Sequence, residues 1–485
     1  MRIGFIQAIN KEHLKRAHDI PSYSFIYLAA YLEKYLQMKD VFIADTVEEL
    51  IEGKPDLVGV ASYSMYFNMA AEIAGKVREA LPGVPIVLGG HHIAAIPHTL
   101  PMVFDLAVRG EGEETFAELV TLFQRDRRFT PDNLDAVKGI VFHRNGETVI
   151  SQHRPLIEPL DRIPFPKREL LKWDQKHDFL YSSRGCPYRC NFCSPIITWP
   201  KYRSHSVDHV ITEIQLVLRQ HDVLCIDFFD DLFIADLPRL KAISDRIVAE
   251  GLHKEVSFAC TIRSNLMNDE ICEILKKMNV VYCNFGAESG SDRILKWFHK
   301  SSKVEKIQNT LDLCHKYGIA VKASFIAFSP EETVEDLLAT FRLIIRNKDK
   351  LQRVAVHPLI PLPGTSVWRI ALERGLVTED ETMDWERLDG YFYTDKGLTM
   401  NNVIRKYDIF RFFRELDSLL AEHGLDWEKS LHSPNPNDGE LIFNLTKFLE
   451  IIMHIYFPEK LMEKEPEPPR ATDIPKESYI MTESM

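Results

Sequence analysis

Between residues 176 and 380 the chain alternates a short apolar run with an amphipathic stretch six times over, and few sequence patterns restrict a fold so strongly. The runs are Phe179–Ser182, Val223–Phe229, Val256–Thr261, Val280–Ala287, Ala320–Phe328 and Val354–Ile360. They begin roughly 25 to 45 residues apart, enough for one strand and one crossover helix each. Strands separated by helices build a parallel sheet, because parallel neighbours need a long connection. Six units predict a partial (β/α)6 barrel whose site lies at the carboxyl ends of the strands.

The loop after the first of these strands carries Cys186-Pro-Tyr-Arg-Cys190-Asn-Phe-Cys193. With 8 cysteines in 485 residues, this spacing arises by accident with a chance of roughly 0.2%, so it calls for a chemical explanation. Two cysteines four apart on a loop make a poor disulfide, and the chain opens on Met-Arg and a strand, without a signal-peptide pattern. A reducing cytoplasm is the expected home. Zinc is the rival reading, because Cys190-x-x-Cys193 is followed by His205-x-x-x-His209. That leaves Cys186 unused and puts Pro195 and Pro200 where a zinc finger would start its helix. Three thiolates on one loop suit a [4Fe-4S] cluster better, each gripping one iron and leaving the fourth iron open to an outside ligand.

The run Ser182-Ser-Arg-Gly-Cys-Pro-Tyr-Arg-Cys-Asn-Phe-Cys-Ser194 resembles the signature loop of radical S-adenosylmethionine enzymes, with Phe192 at the aromatic position before the third cysteine. The resemblance implies that Cys186, Cys190 and Cys193 hold the cluster. It also implies that the open iron chelates S-adenosylmethionine, and that an external low-potential donor drives its cleavage to a 5'-deoxyadenosyl radical. Phe228-Phe-Asp-Asp-Leu-Phe233 looks like the motif that brings Asp230 and Asp231 near the amino group of S-adenosylmethionine. A helix cap explains Asp231 equally well. Arg263 is placed to meet the carboxylate, or to form a surface ion pair. Gly286-Ala-Glu-Ser-Gly-Ser-Asp-Arg293 resembles the segment in which Glu288 and Ser289 approach the nucleoside. Near the fifth strand only the backbone at Ile326 is carried over, since Phe328 and Glu331 stand where the family favours glycine. Pro361-Leu-Pro-Gly-Thr365 also fits the family, or a plain rigid turn.

Residues 1–145 read as a second α/β unit. Arg2–Gln7, Val41–Asp45, Leu57–Ser62, Ile86–Gly89 and Leu106–Arg109 are strand-like, with helical stretches between them. This is a doubly wound, Rossmann-like pattern. Gly89-Gly90-His91-His92 and Arg109-Gly110-Glu111-Gly112-Glu113 follow its fourth and fifth strands, where open sheets bind ligands. The unit resembles the cobalamin-binding domain that precedes the barrel in one branch of the family. The resemblance implies that Gly89, Gly90, His91, Gly110, Glu111 and Gly112 face a corrin. The Asp-x-His-x-x-Gly pattern for cobalt ligation is absent from the sequence, and His91 is a candidate ligand or a loop residue.

Residues 146–175 read as a linker, 381–460 as a helical region, and 461–485 as a polar, Pro-rich disordered tail. Leu441–Phe457 is apolar but interrupted by Lys447, Glu450 and His454, and shorter than the roughly 20 residues a span needs, which predicts a buried helix without membrane association. The net charge of -12 and the lack of clustered Lys and Arg argue against a nucleic-acid partner. The other five cysteines are scattered through barrel strands and helices, as small buried hydrophobes.

The combined resemblance implies C-methylation of an unactivated carbon in a small-molecule substrate. One S-adenosylmethionine would methylate cobalamin and a second would generate the radical. Two alternatives remain at this stage. The substrate radical is oxidised, cyclised, rearranged or coupled without methyl transfer, or the protein is a non-catalytic iron–sulfur carrier or sensor.

Overall fold

The computed structural model describes residues 1–9, 23–172, 176–389, 398–433 and 435–456; the expected tail at 461–485 lies outside them. The first unit is a seven-stranded sheet in the order β2-β1-β3-β4-β5-β6-β7. β1 (Ile3–Ala8), β2 (Val41–Ala44), β3 (Leu57–Ser62), β4 (Ile86–Gly89) and β5 (Leu106–Val108) are parallel. Alternation along β1 sends Ile3 and Phe5 to one face, under helices Tyr23–Leu36 and Gly112–Asp126. It sends Ile6 and Ala8 to the other face, under helix Phe67–Ala80. The chain therefore winds both ways from β1, and the loops after β3, β4 and β5 gather at one rim.

β6 (Ile140–Arg144) and β7 (Glu147–Ile150) continue this sheet as an antiparallel hairpin, carrying it past residue 145. Asn145-Gly146 makes the turn, both residues at positive φ. Sequence reading ends the unit at 145 and starts a linker at 146, so β7 falls on the linker side.

The second unit is the expected open barrel, a six-stranded parallel sheet in the order β15-β14-β13-β12-β11-β8. Its strands are β8 (His177–Leu180), β11 (Cys225–Phe228), β12 (Ser257–Ile262), β13 (Val280–Glu288), β14 (Ala320–Ala327) and β15 (Arg353–Pro358). Short strands β9 (Ser183–Arg184) and β10 (Arg203–Ser204) pair beside it. Helix-facing Phe228, Phe258, Cys260, Cys283, Phe285 and Phe325 form one continuous core with the surrounding helices. Helix Pro436–Tyr456 packs against β15, and its Phe448 stacks on Phe328, the ring centres 5.6 Å apart. No described helix is long and apolar enough to cross a membrane.

Arg168 ties the two units together. It donates to Glu213 Oε1 at 2.7 Å and approaches Asp178 at 3.2 Å, and Tyr23 Oη donates to the same Asp178 carboxylate at 2.5 Å.

Under helix Pro436–Tyr456, Glu332 is fully buried, and its Oε1 has no hydrogen-bond partner among the described residues. Burial pushes its carboxyl from 4.5 up to about 8. The folded chain thus keeps a proton that the unfolded chain has released. This contribution to stability is complete below the ordinary carboxylate range and is lost as pH rises toward about 8. Glu332→Gln is expected to remove a slope of about 1.4 kcal/mol per pH unit across that window, read from urea unfolding midpoints. An unchanged slope would sink the assignment.

Candidate active site

The loop that leaves β8 is held by its neighbours before it presents any cysteine. Asp230, in the turn after β11 and 2% exposed, accepts from the backbone N–H and hydroxyl of both Ser182 and Ser183, at 2.6 to 3.1 Å. Asp231 accepts from Gly185 N at 3.1 Å. Gly185 has φ +80°, and a Cβ there would press on Lys201 O at 2.6 Å, so the turn into Cys186 requires glycine.

Cys186, Cys190 and Cys193 then line a cavity of about 200 Å³, together with Phe192, Asp231, Thr261, Arg263, Gly286, Glu288 and Lys300. Burial pushes the Cys186 thiol up, and burial with the nearby Cys190 pushes Cys193 up to about 12. Without a metal these thiols therefore hold their protons, and a bound cation displaces them, because a coordinating thiol binds as the thiolate. Arg263 Nη1 donates to Cys190 Sγ at 3.5 Å, and its guanidinium lies 3.8 Å from the centre of the Tyr188 ring.

These residues fit an iron–sulfur cluster better than a single ion. A tetrahedral ion with sulfurs at about 2.3 Å needs them about 3.8 Å apart. Among the described residues, the set whose donor atoms all lie within 4.8 Å of one another is Asp161, His205 and His209, and the three cysteines are not such a set. His205 and His209 stack on each other and turn to Asp161 rather than to the thiols.

β13 bulges between Gly286 and Glu288, and Glu288 takes φ +67°. The bulge swings its carboxylate into the cavity, where Lys300 Nζ donates to it at 2.6 Å. A Cβ on Gly286 would fall on that carboxylate and 2.9 Å from Lys300 Nζ. Gly286→Ala is therefore expected to weaken S-adenosylmethionine binding at least about tenfold while the fold persists, measured by equilibrium dialysis. Unchanged affinity would remove the pair from the nucleoside's contacts.

The structure brings Phe192, Arg263 and Glu288 to the cysteines, and it also brings Asp231, Lys300 and Tyr188, which sequence reasoning left open or missed. Asp230 is behind the loop. Ser289 is fully buried, with its hydroxyl 3.2 Å from Thr340 Oγ1. Ile326 packs in the same apolar cluster as Phe192. Asp231 had a signal, since of two adjacent acids one can pin a loop while the other faces outward. Nothing in its spacing marks Lys300.

On the first unit, a Cβ on Gly89 or Gly110 would meet no atom within 4 Å, so the backbone at both strand ends is open to a flat ligand edge and fits a corrin. Gly90, at φ +114°, is wedged on the Ser62 carbonyl, and Gly112 lies against Leu28. His91 Nδ1 lies 3.4 Å from Thr198 Oγ1, just beyond the cysteine loop, and its ring stacks on Tyr63. Burial holds it below the usual imidazole range. Glu111 is turned to the barrel: it accepts from Arg184 at 2.9 Å, from Arg203 at 2.8 and 3.0 Å, and from Ile157 N at 2.9 Å.

An open βα barrel with a three-cysteine loop, preceded by a doubly wound sheet with open glycine turns, defines a class of two-module cofactor protein. Residues 13–120 match the B12 binding domain and residues 180–344 the Radical SAM superfamily. An uncharacterized methyltransferase of Pyrococcus horikoshii is 30% identical over 76% of this chain and 81% of its own length. The chain belongs to the radical SAM superfamily, in the branch that carries an N-terminal B12-binding domain. The anaerobic magnesium-protoporphyrin IX monomethyl ester cyclase of Rubrivivax gelatinosus is 26% identical over 65% of this chain, which spans 60% of that relative. The cobalamin-dependent S-adenosylmethionine radical enzyme OxsB, solved with aqua-cobalamin and S-adenosylmethionine bound, shares the fold. Its TM-score is 0.70 at 18% identity, over 94% of this chain and 72% of that one.

Proposed function

We propose that this protein is a radical enzyme that methylates an unactivated carbon of a small molecule, with cobalamin as methyl carrier. The observation that carries the reading is the convergence of three free thiols, three cations and two carboxylates on one cavity, with Thr198 just past the cysteine loop 3.4 Å from His91 in a glycine turn of the first unit. When bound, the cluster supplies the electron that splits the sulfonium, and the corrin supplies the methyl group.

The chain's own residues do the positioning. Cys186, Cys190 and Cys193 hold the irons. Arg263 and Lys300 offer positive charge to the carboxylate of S-adenosylmethionine, and Asp231 and Glu288 offer negative charge to its ammonium. Gly286 lets the nucleoside approach the backbone, and Phe192 screens the cluster side from water. Gly89, Gly110 and His91 lie on the corrin side. An external low-potential donor delivers the electron. The cytoplasm is the fitting compartment, since all eight cysteines are free.

Coproduct counting tests this. Methyl transfer by this route yields S-adenosylhomocysteine and 5'-deoxyadenosine in equal amounts. The likeness to a cyclase favours a second reading, radical oxidation or cyclisation without methyl transfer, for which 5'-deoxyadenosine alone is the expected product.

A further inference from the structure

The lumen side of the barrel sheet carries a polar trail that the cofactor chemistry leaves unused. Along β14, Val321, Ala323, Phe325 and Ala327 are buried against the helices, while Lys322, Ser324 and Ile326 face the lumen. Ser324 is exposed although β13 and β15 flank it on both sides. Strand register sets Ser324 beside Gly286 and Lys322 beside Asn284. Gly286 lines the cysteine cavity, and its register neighbour Ser324 is exposed on the same face of the sheet.

At the lower end, side chains from four strands converge. Tyr282 Oη donates to Asp227 Oδ2 at 3.0 Å and lies 3.2 Å from His177 Nε2, and Asn284 Nδ2 donates to the same Asp227 oxygen at 3.2 Å. The Lys322 ammonium sits 3.4 Å from the centre of the Tyr282 ring. Among the described residues it makes no hydrogen bond and no ion pair within 4.0 Å. Arg353 is its register neighbour on β15, and among the described residues it pairs with Glu440 at 3.6 Å. Burial makes the Lys322 ammonium easier to deprotonate; Asp227 opposes this, and Arg353 adds to it. Like charges on adjacent strands repel, and the Tyr282 ring and Asp227 offset only part of the cost of the partly buried Lys322 ammonium; an anion beside it would lower both penalties.

We propose that the lower lumen is a substrate subsite in which Lys322, with Arg353 beside it, holds a carboxylate or phosphate carried by the molecule whose other end reaches the cysteines. Ile326, which packs against the same apolar cluster as Phe192, lies four residues beyond Lys322 on β14, about 13 Å at 3.3 Å per residue. The substrate class is therefore an elongated anion. The identity of the reacting end rests on the radical reading above; the anion subsite does not.

The test uses the full chain, reconstituted with its cluster and without turnover, and compares hexanoate with its neutral isostere hexanamide by saturation-transfer NMR. Hexanoate is expected to bind at least about tenfold more tightly. That preference should vanish in Lys322→Met and largely survive in Lys322→Arg, while the melting temperature of Lys322→Met stays level or rises. Equal binding of the two probes, or a preference that persists in Lys322→Met, overturns the subsite. So does a fall in the melting temperature of Lys322→Met, which would assign Lys322 to balancing Asp227. Anion preference without S-adenosylmethionine cleavage in the unmodified protein would leave the subsite standing and remove only the radical reading.

Discussion

Cys190→Ala is expected to bind no intact [4Fe-4S] cluster and to cleave S-adenosylmethionine at least about a thousandfold more slowly than the unmodified protein. The three sulfurs are proposed to hold one iron each, so no neighbour substitutes for a missing one. Arg263 would lose its sulfur acceptor at 3.5 Å and no longer hold Tyr188 against a fixed charge. Cys190 is only half-buried on a loop, so melting should change little, and any corrin binding by the first unit should persist. Iron content, the visible spectrum and 5'-deoxyadenosine yield read the three effects separately. A variant with full iron occupancy would remove Cys190 from the ligand set, and joint loss of iron and corrin binding would contradict two independent modules.

Glu111→Leu is expected to cost about 3 to 5 kcal/mol of stability, the range for breaking a buried charge network on one side. Glu111 is 9% exposed, and Arg184 and Arg203 are 8% and 7% exposed. Together with the Arg184–Glu113 pair at 2.5 Å they form a buried cluster across the two units. Removing Glu111 leaves Arg203, among the described residues, with the Ile157 carbonyl at 2.9 Å, and Arg184 with Glu113 and the Tyr27 and Trp199 rings. The double replacement Glu111→Leu with Arg203→Met should recover part of the loss, since it deletes charges in pairs. Urea unfolding measures both, and a loss under about 1 kcal/mol would show the network to be solvated in solution. Arg184 lies two residues before Cys186, so the single variant should also cleave S-adenosylmethionine more slowly.

The barrel and the cysteine loop were legible because both are local: a strand is a short apolar run, and the loop is a fixed spacing within eight residues. The hairpin β6–β7 is equally local, yet a boundary drawn at 145 cuts it at its Asn145-Gly146 turn, because the preceding pattern is one of parallel strands. The destination of Glu111 was not legible at all, since its arginines lie 73 and 92 residues away in the chain. A glycine-rich turn at a strand end predicts a ligand, while here one of its residues serves the interface. Asp230 and Asp231 differ by one position and face opposite ways, and only the folded loop shows which one faces the cavity. Lys300 needed the β13 bulge to become a partner of Glu288, and a bulge leaves no mark in apolar periodicity.

The way β15 is covered has a consequence for biosynthesis. All six barrel strands have been translated well before the segment Pro436–Tyr456 emerges from the ribosome. Until then the outer margin of β15 offers bare peptide groups to any neighbouring nascent chain, the situation that promotes intermolecular pairing. A nonsense codon or ribosomal stall in that interval would yield aggregates rather than a soluble truncated enzyme, and yield in a heterologous host should depend on chaperones that shield late intermediates.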